Sequence, residues 1–250
     1  MNSAKNSMDR LRLLFEEQIT VMTIAENLKI FDLSSYQEEM AKLNFNTAVI
    51  FDQGKWLKYD KGDAQPSPVS QVDLMPENTP ILTAFRLLLG KRKYFIPDES
   101  GKLSYIVTRT DLDKIPLRIG IFGLISVLET HLKDLVRHHI PNWQESLSEN
   151  RLQQAISLYE WKKERKEEID LVQCLQFGDL GSIFSKNQRF KKFDPDFSRD
   201  NWVDMMNAIG KLRDALAHSQ LRLGFSWEEI DRILLFIRGI IDKENKIFEI

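Results

Sequence analysis

Two residue types in the segment Lys211-Leu212-Arg213-Asp214-Ala215-Leu216-Ala217-His218-Ser219 suit chemistry at a phosphate. Histidine titrates unaided near neutrality, so His218 is a candidate to take or give a proton. Arginine is a permanent cation whose forked donors match phosphate oxygens, so Arg213 is a candidate to neutralise a phosphorane-like transition state. Asp214 is placed to orient the arginine, and Ser219 to assist. On a helix turning 100° per residue, positions 213 and 218 project about 140° apart, so one chain presents them imperfectly to a single phosphate. A dimer solves this. The alternative is structural: Arg213 pairs with an acidic neighbour, and His218 sits at a helix C-terminus where a cation is favourable.

Two further groups invite a chemical reading. Thr108-Arg109-Thr110-Asp111 follows the apolar run Leu103 to Val107. A hydroxyl and a carboxylate three residues apart at a strand-to-helix junction can hydrogen-bond a ribose and a nearby phosphate, with backbone amides adding anion affinity. The same pair is also an ordinary helix cap. In Phe184 to Asp200, which reads as turn-like, Arg189, Lys191 and Lys192 (with Lys186) interleave with Phe190 and Phe193. Such a stretch can follow an RNA backbone with a ring on a base, or can be an exposed loop anchored by its phenylalanines. His131, His138 and His139 lie near Glu129 and Asp134, but adjacent histidines point to different faces, so no metal site is expected. The single Cys174 cannot build a disulfide framework or a thiolate metal site and is expected to be a buried small hydrophobe.

These side chains need elements to position them. The chain has 42% hydrophobic and 29% charged residues with 11 Gly and 8 Pro, which excludes low-complexity and collagen-like polymers. A net charge of -2 excludes a globally basic nucleic-acid binder, so any such contact is a local patch. The start, MNSAKNSMDRLRLLFEEQ, lacks the apolar core of a secretory signal. The most apolar window, Ile119 to Leu128, is closed by Arg118 and Glu129 and falls short of the roughly 20 residues that span a bilayer. A cytoplasmic protein without a membrane span is expected.

The front half repeats one order of signals at a spacing of roughly 45 residues. A capping box at Ser34 to Glu38 opens a helix through Met40 and Leu43. The strand Thr47 to Phe51, the turn Asp52-Gln53-Gly54 and a strand through Trp56 and Leu57 follow. In the second copy, Thr79 caps a helix starting at Pro80 and running through Leu88. Strand Tyr94 to Ile96, turn Asp98 to Gly101 and strand Leu103 to Val107 follow. KGDAQPSPVSQ connects the copies. From Pro116 the pattern is helical: one helix to about His139, where Pro141 ends it, one from roughly Glu149 to Gln173, one from Asn201 to about Ala217, and a last one capped at Ser226.

The second copy resembles a CBS motif, the module named after cystathionine beta-synthase, which usually occurs in tandem. The resemblance covers roughly residues 18 to 115 and implies that Thr108 and Asp111 contact a regulatory adenine nucleotide (ATP, ADP or AMP). The first copy's matching strand end is read at Trp56 to Asp63, with Asp60 in place of the hydroxyl, Asp63 as a second acid, and no anionic nucleotide expected there. Tyr105 stands where the family usually has glycine. The segment Arg213 to His218, with an earlier long helix bearing Glu129, resembles a HEPN domain over roughly residues 116 to 250. That implies a composite ribonuclease site between two protomers, with Arg213, Asp214 and His218 catalytic and no cofactor for catalysis. The expectation is therefore an α+β chain: an N-terminal helix (1–17), a tandem CBS-like domain (18–115) and an all-α HEPN-like bundle (116–250). Its implied function is that of a homodimeric, metal-independent endoribonuclease under nucleotide control, a toxin or defence nuclease with a separately encoded antitoxin as a further partner. The competing reading is a non-catalytic nucleotide-sensing and dimerisation protein.

Overall fold

A computed structural model describes residues 2–218, 220 and 223–247. The fold is mixed α+β and forms two compact units, Glu16–Leu117 and the N-terminal residues to Phe15 together with Arg118–Ile250. Helix α1 (Asn2–Leu13) thus belongs with the C-terminal helices. Arg12 pairs with Asp242, and the Phe15 ring lies against Gly123, where a Cβ would collide with it.

The sheet unit comprises β1 (Glu26–Asn27), β2 (Ile30–Phe31), α2 (Tyr36–Leu43), β3 (Thr47–Asp52), β4 (Lys55–Asp60), β5 (Ser67–Pro68), α3 (Ile81–Gly90), β6 (Lys93–Pro97) and β7 (Leu103–Thr108). One sheet has the order β2-β3-β4-β5, with β2 parallel to β3 and the rest antiparallel. The other has the order β1-β7-β6, antiparallel throughout. Gln53 (φ 46°) and Gly54 (φ 76°) form the two-residue turn between β3 and β4, the left-handed pair that matches strand twist. Strand β3 is buried on both faces. Ala48 and Ile50 pack with Phe31 and Met40, while Val49 packs with Phe95 and Leu103 of the second copy.

Each copy ends in a capping box, and here the structure corrects the sequence alignment of the copies. Ser70 and Asp73 bracket one short 3-10 turn; Thr108 and Asp111 bracket the other. The counterpart of Val107-Thr108-Arg109-Thr110-Asp111-Leu112 is Val69-Ser70-Gln71-Val72-Asp73-Leu74, not the end of β4. The residues after Asp60, with β5, intervene between the hairpin and its box, which hid the match. Asp60 and Asp63 are not an open acidic pair either. Asp60 accepts the Thr47 hydroxyl at 2.6 Å and pairs with Lys93, and Asp63 accepts the Asp60 N–H at 2.9 Å. Burial opposes ionisation of Asp60, but Lys93 and Thr47 hold its carboxyl below the ordinary value.

The helical unit contains α4 (Ile115–His139, contributing from Arg118), α5 (Glu149–Glu164), α6 (Phe177–Lys186), α7 (Arg199–Ala217) and α8 (Trp227–Ile247). Helix α4 is long and apolar enough by length and composition to cross a membrane, with mean hydropathy 1.4 over its most apolar window, 56% of which is buried. Its buried face carries Ile121, Leu124, Leu128, Leu132 and Leu135, the stripe expected of a core helix.

Helix α5 stops earlier than its periodicity predicts. Lys166 turns left-handed (φ 61°) where Lys162 reaches Glu167 at 2.8 Å, and Asp170 then caps a separate 3-10 turn, Leu171–Cys174. Helix α6 is not anticipated at all. Two glycines dilute its helical pattern, yet Gln176 and Asp179 form its capping box. Gly181 lets α7 approach closely: a Cβ there would lie 3.2 Å from that of Met206, and the Trp202 indole N–H donates to the Gly181 carbonyl at 3.1 Å.

Candidate active site and nucleic-acid contacts

Helix α7 positions the Arg213–His218 segment. Ser198 caps its start by accepting the Asn201 N–H at 3.1 Å. Trp202, Met206, Ile209, Leu212 and Leu216 bury one face. That burial fixes Arg213 half-exposed on the neighbouring face and leaves His218 as the exposed residue that closes the helix, its N–H donating to the Asp214 carbonyl at 3.0 Å.

The arginine is held from two sides. Its Nη1 lies 3.2 Å from Glu129 Oε2 on α4, while Nε and Nη2 lie 3.2 and 3.0 Å from Asp214 Oδ1. Glu129 also accepts Lys133 Nζ at 2.9 Å. Arg118, one helical face along α4, donates through Nη1 to the Gln220 carbonyl at 2.5 Å. These two contacts run in opposite order along the chain, so α4 from Arg118 to Glu129 runs antiparallel to the segment from Arg213 to Gln220. Asp214 therefore orients the arginine, as its sequence position suggests, and Glu129 anchors it. No hydrogen bond reaches the His218 ring from the described residues. Ser219, the proposed helper, lies outside the described residues.

Chemically, this is a fixed guanidinium with donor capacity left over and an imidazole open to water on the same helix end. Both features of the structural alternative are also present: the arginine is ion-paired and the histidine occupies the C-cap. What distinguishes the site is the apolar surface beside it. On α4, Ile119 is 50% and Phe122 38% exposed. At 100° per residue they share an arc of about 80° with Ser126 and Glu129, so an uncovered apolar stripe leads up to the anchored arginine.

The Thr108–Asp111 pair is closed. Asp111 Oδ2 accepts the Thr108 N–H at 2.7 Å and the Thr108 hydroxyl at 2.8 Å, and Oδ1 meets Lys114 Nζ at 2.8 Å. Lys114 in turn contacts the Ile24 carbonyl at 2.7 Å and Glu26, and its carboxylate partners hold its pKa above the ordinary lysine value against the effect of burial. A ribose hydroxyl needs a carboxylate oxygen with a free lone pair facing outward. Asp111 is buried, and in this arrangement the pair serves as a helix cap whose oxygens are taken by Thr108 and Lys114. Ser70 and Asp73 repeat the design with two lysines, Lys58 and Lys91, each 2.6 Å from Asp73 Oδ1. Burial opposes ionisation, but Lys58 and Lys91 with Ser70 hold the Asp73 carboxyl well below the carboxylate range.

The basic, aromatic stretch splits into two roles. Arg189–Lys192 forms a 3-10 turn entered through left-handed Gln188. Phe190 and Phe193 are buried and stack on Trp202, with centroids 5.9 and 6.0 Å away, so neither ring is available to a base as the sequence reading suggested. Lys191 and Lys192 remain exposed and Arg189 half-exposed, so only the charges are left for an RNA backbone. The other candidates behave as structural residues. His131 is buried, the His138 ring contacts the Asp134 carbonyl at 2.8 Å, and burial raises the Cys174 thiol pKa.

Sequence reasoning missed the Ser70–Asp73 box, for which the shared V-[ST]-x-x-D-L string was the available signal. It also missed Arg118, whose link to Gln220 has no sequence signature. No protein-family model matches the chain, and a search of curated proteins finds no match.

Proposed function

We propose, on the geometry and the resemblances, that the chain is a HEPN-like endoribonuclease that cleaves RNA without metal assistance and acts as a homodimer. The observation that carries this reading is the helix end at which Glu129 and Asp214 hold Arg213 while the His218 ring is open to solvent. His218 supplies proton transfer at the 2′-hydroxyl or the leaving oxygen, and Arg213 neutralises charge building on the phosphorus. Their separation around α7 calls for a second copy, and the exposed Ile119 and Phe122 beside the motif are the apolar surface through which that copy docks.

The sheet unit is CBS-like in this reading and supplies regulation, with an adenine nucleotide as the expected input. A nucleotide at Thr108 and Asp111 has to displace Lys114, and it regulates only if it binds two states of the protein unequally. An activity of this kind suits a toxin or defence nuclease restrained by a partner antitoxin in the cytoplasm. The competing reading, a non-catalytic sensing and dimerisation protein, is favoured by one observation: the hydroxyl–carboxylate boxes and Arg213 all have internal partners.

Cleavage of labelled total RNA and tRNA in EDTA separates the two readings. Wild type is expected to leave cyclic phosphate ends, with His218→Ala and Arg213→Ala inactive, and added ATP or AMP changing the rate. Wild type as inert as both variants under every nucleotide condition would transfer the conclusion to the non-catalytic reading.

A further inference from the structure

The helical unit carries a second feature, separate from the Arg213–His218 end of α7. At the opposite end of that helix a cleft of about 540 Å³ opens between the end of α6, the 3-10 turn at Arg189–Lys192 and the first residues of α7. Its walls carry Lys186, Lys191 and Arg199 against a single carboxylate, Asp196, with Phe197 as a half-exposed aromatic wall.

The charge state of those walls is the informative part. Several cations elsewhere in this unit are ion-paired, Arg137 with Asp134 and Asp170, Arg151 with Asp179, and Lys133 with Glu129. Among the described residues no carboxylate pairs with Lys186, Lys191 or Arg199. Arg199 is instead steered by its Nε, which donates at 3.0 Å to the hydroxyl of buried Ser185 on the cleft wall. Like charges gathered around one cleft repel and are relieved by an anion between them, so the arrangement is complementary to an anionic group. An aromatic wall and a volume within the range of small-ligand sites add what a base requires and a bare phosphate does not.

We propose that this cleft binds one phosphorylated nucleoside unit of a single-stranded RNA, the phosphate between Lys186, Lys191 and Arg199 and the base against Phe197. The proposal rests on the RNA reading above for the source of the nucleotide, not for the chemistry of the cleft, which a free nucleoside monophosphate shares. It makes the cleft a holding site for substrate away from the cleavage site, and in place of the buried Phe190 and Phe193 it uses the exposed part of Phe197, whose ring otherwise packs on Phe236 at 5.4 Å.

The test measures binding of a labelled single-stranded RNA to the full-length chain by fluorescence anisotropy, in a His218→Ala background so that cleavage does not intervene. Lys186→Ala with Lys191→Ala removes two exposed charges from the cleft; Lys55→Ala with Lys61→Ala removes two exposed charges elsewhere. The cleft pair is expected to weaken binding at least tenfold and to lower the slope of log affinity against log salt by at most about 0.7, the value of the one phosphate contact at the cleft, while the control pair leaves both unchanged. Phe197→Ala is expected to weaken binding about fivefold or more without changing the slope, as loss of one stacked base does.

Equal RNA binding by cleft and control variants overturns the proposal while leaving the nuclease reading intact. Binding of AMP or UMP, lost in the cleft variant, by a chain that ignores RNA upholds the cleft's chemistry and overturns RNA as its source. Equal competition by an acidic peptide, or binding of neither RNA nor nucleotide by wild type, overturns it outright.

Discussion

The two ends of short polar motifs in this chain, one in each unit, have opposite fates. In the sheet unit, the hydroxyl and carboxylate of Thr108 and Asp111 satisfy each other and Lys114 takes the remaining oxygen; Ser70 and Asp73 do the same with two lysines. In the helical unit, Arg213 is tethered but His218, five residues on, bonds among the described residues only through its backbone. A buried polar group must be satisfied internally because leaving it unpaired costs about 1–3 kcal/mol. An exposed side chain bears no such constraint, so its freedom is available for reaction. A spacing that resembles a binding motif is therefore uninformative until its partners are known.

The sharpest way to break this contrast is to remove each side in turn. His218→Ala is expected to lower RNA cleavage by about a hundredfold to ten-thousandfold, the range of a lost general acid or base. Its melting temperature should match wild type, since the ring is exposed and no hydrogen bond or ion pair from the described residues reaches it. Glu129→Gln should lower cleavage less and leave the pH profile unchanged, because it loosens the anchor of Arg213 without touching the titrating group. A His218→Ala protein that melts well below wild type would make the histidine a structural cap and remove the contrast.

In the sheet unit the largest effect is expected from Asp73→Ala. It strands two partly exposed ammonium groups and removes the cap acceptor, which together should cost about 2 kcal/mol, discounted from the cost of breaking a fully buried pair. Urea unfolding monitored by circular dichroism measures it. Asp73→Ala as stable as wild type would mean that the two lysines find water at no cost and that the box is dispensable.

Much of this architecture was legible. Turns at Gln53-Gly54 and Asp98 to Gly101, the stop after His139 and the capping box at Ser226, where Oγ and N–H both reach Glu229, follow from local chemistry that a sequence displays directly. The losses share a cause. Helix α6 is held by α7 through Gly181 and Trp202, and α5 ends where Lys162 finds Glu167; both depend on contacts whose energy is not written in helical periodicity. At the candidate site, Arg213 and Asp214 were legible as neighbours. The bond from Glu129 spans 84 positions and could be suggested only by resemblance. The commitment of Phe190 and Phe193 to Trp202 is invisible for the same reason: a phenylalanine between lysines looks identical whether it faces a base or a core.

Whether the two boxes are equivalent is a finer question, answered by matched cap deletions. Ser70→Ala and Thr108→Ala should each cost about 1 kcal/mol, the usual value of a lost N-cap oxygen. Adding ATP, ADP or AMP in thermal-shift measurements then distinguishes them. Stabilisation of wild type that is lost in Thr108→Ala and kept in Ser70→Ala would show that a nucleotide opens the second box and displaces Lys114. No stabilisation of wild type at millimolar nucleotide would leave both boxes as caps.

The smallest effect expected here isolates a closed carboxylate that is half-buried, between the extremes of Asp111 and His218. Asp98 sits in the β6–β7 turn and accepts the Ser100 hydroxyl at 2.6 Å, the Ser104 hydroxyl at 2.7 Å and the N–H groups of Ser100 and Lys102 at 2.9 and 3.1 Å. The two serine hydroxyls and then the backbone donors lower its pKa to about 2 from the ordinary 3.8. Because the folded value lies below the unfolded one, its ionised form adds stability that is fully present above pH 3.8 and is lost as the pH falls through about 2. The neighbouring acids Asp60 and Asp73 are also depressed, so the whole unit weakens in acid; the difference between wild type and Asp98→Asn separates this one group. That difference in urea midpoint should be constant from pH 7 to about 4, shrink between 4 and 2, and disappear below. A difference that persists unchanged at pH 2 would assign the turn's stability to its backbone geometry at Gly101, where φ is 82°, and not to the charge on Asp98.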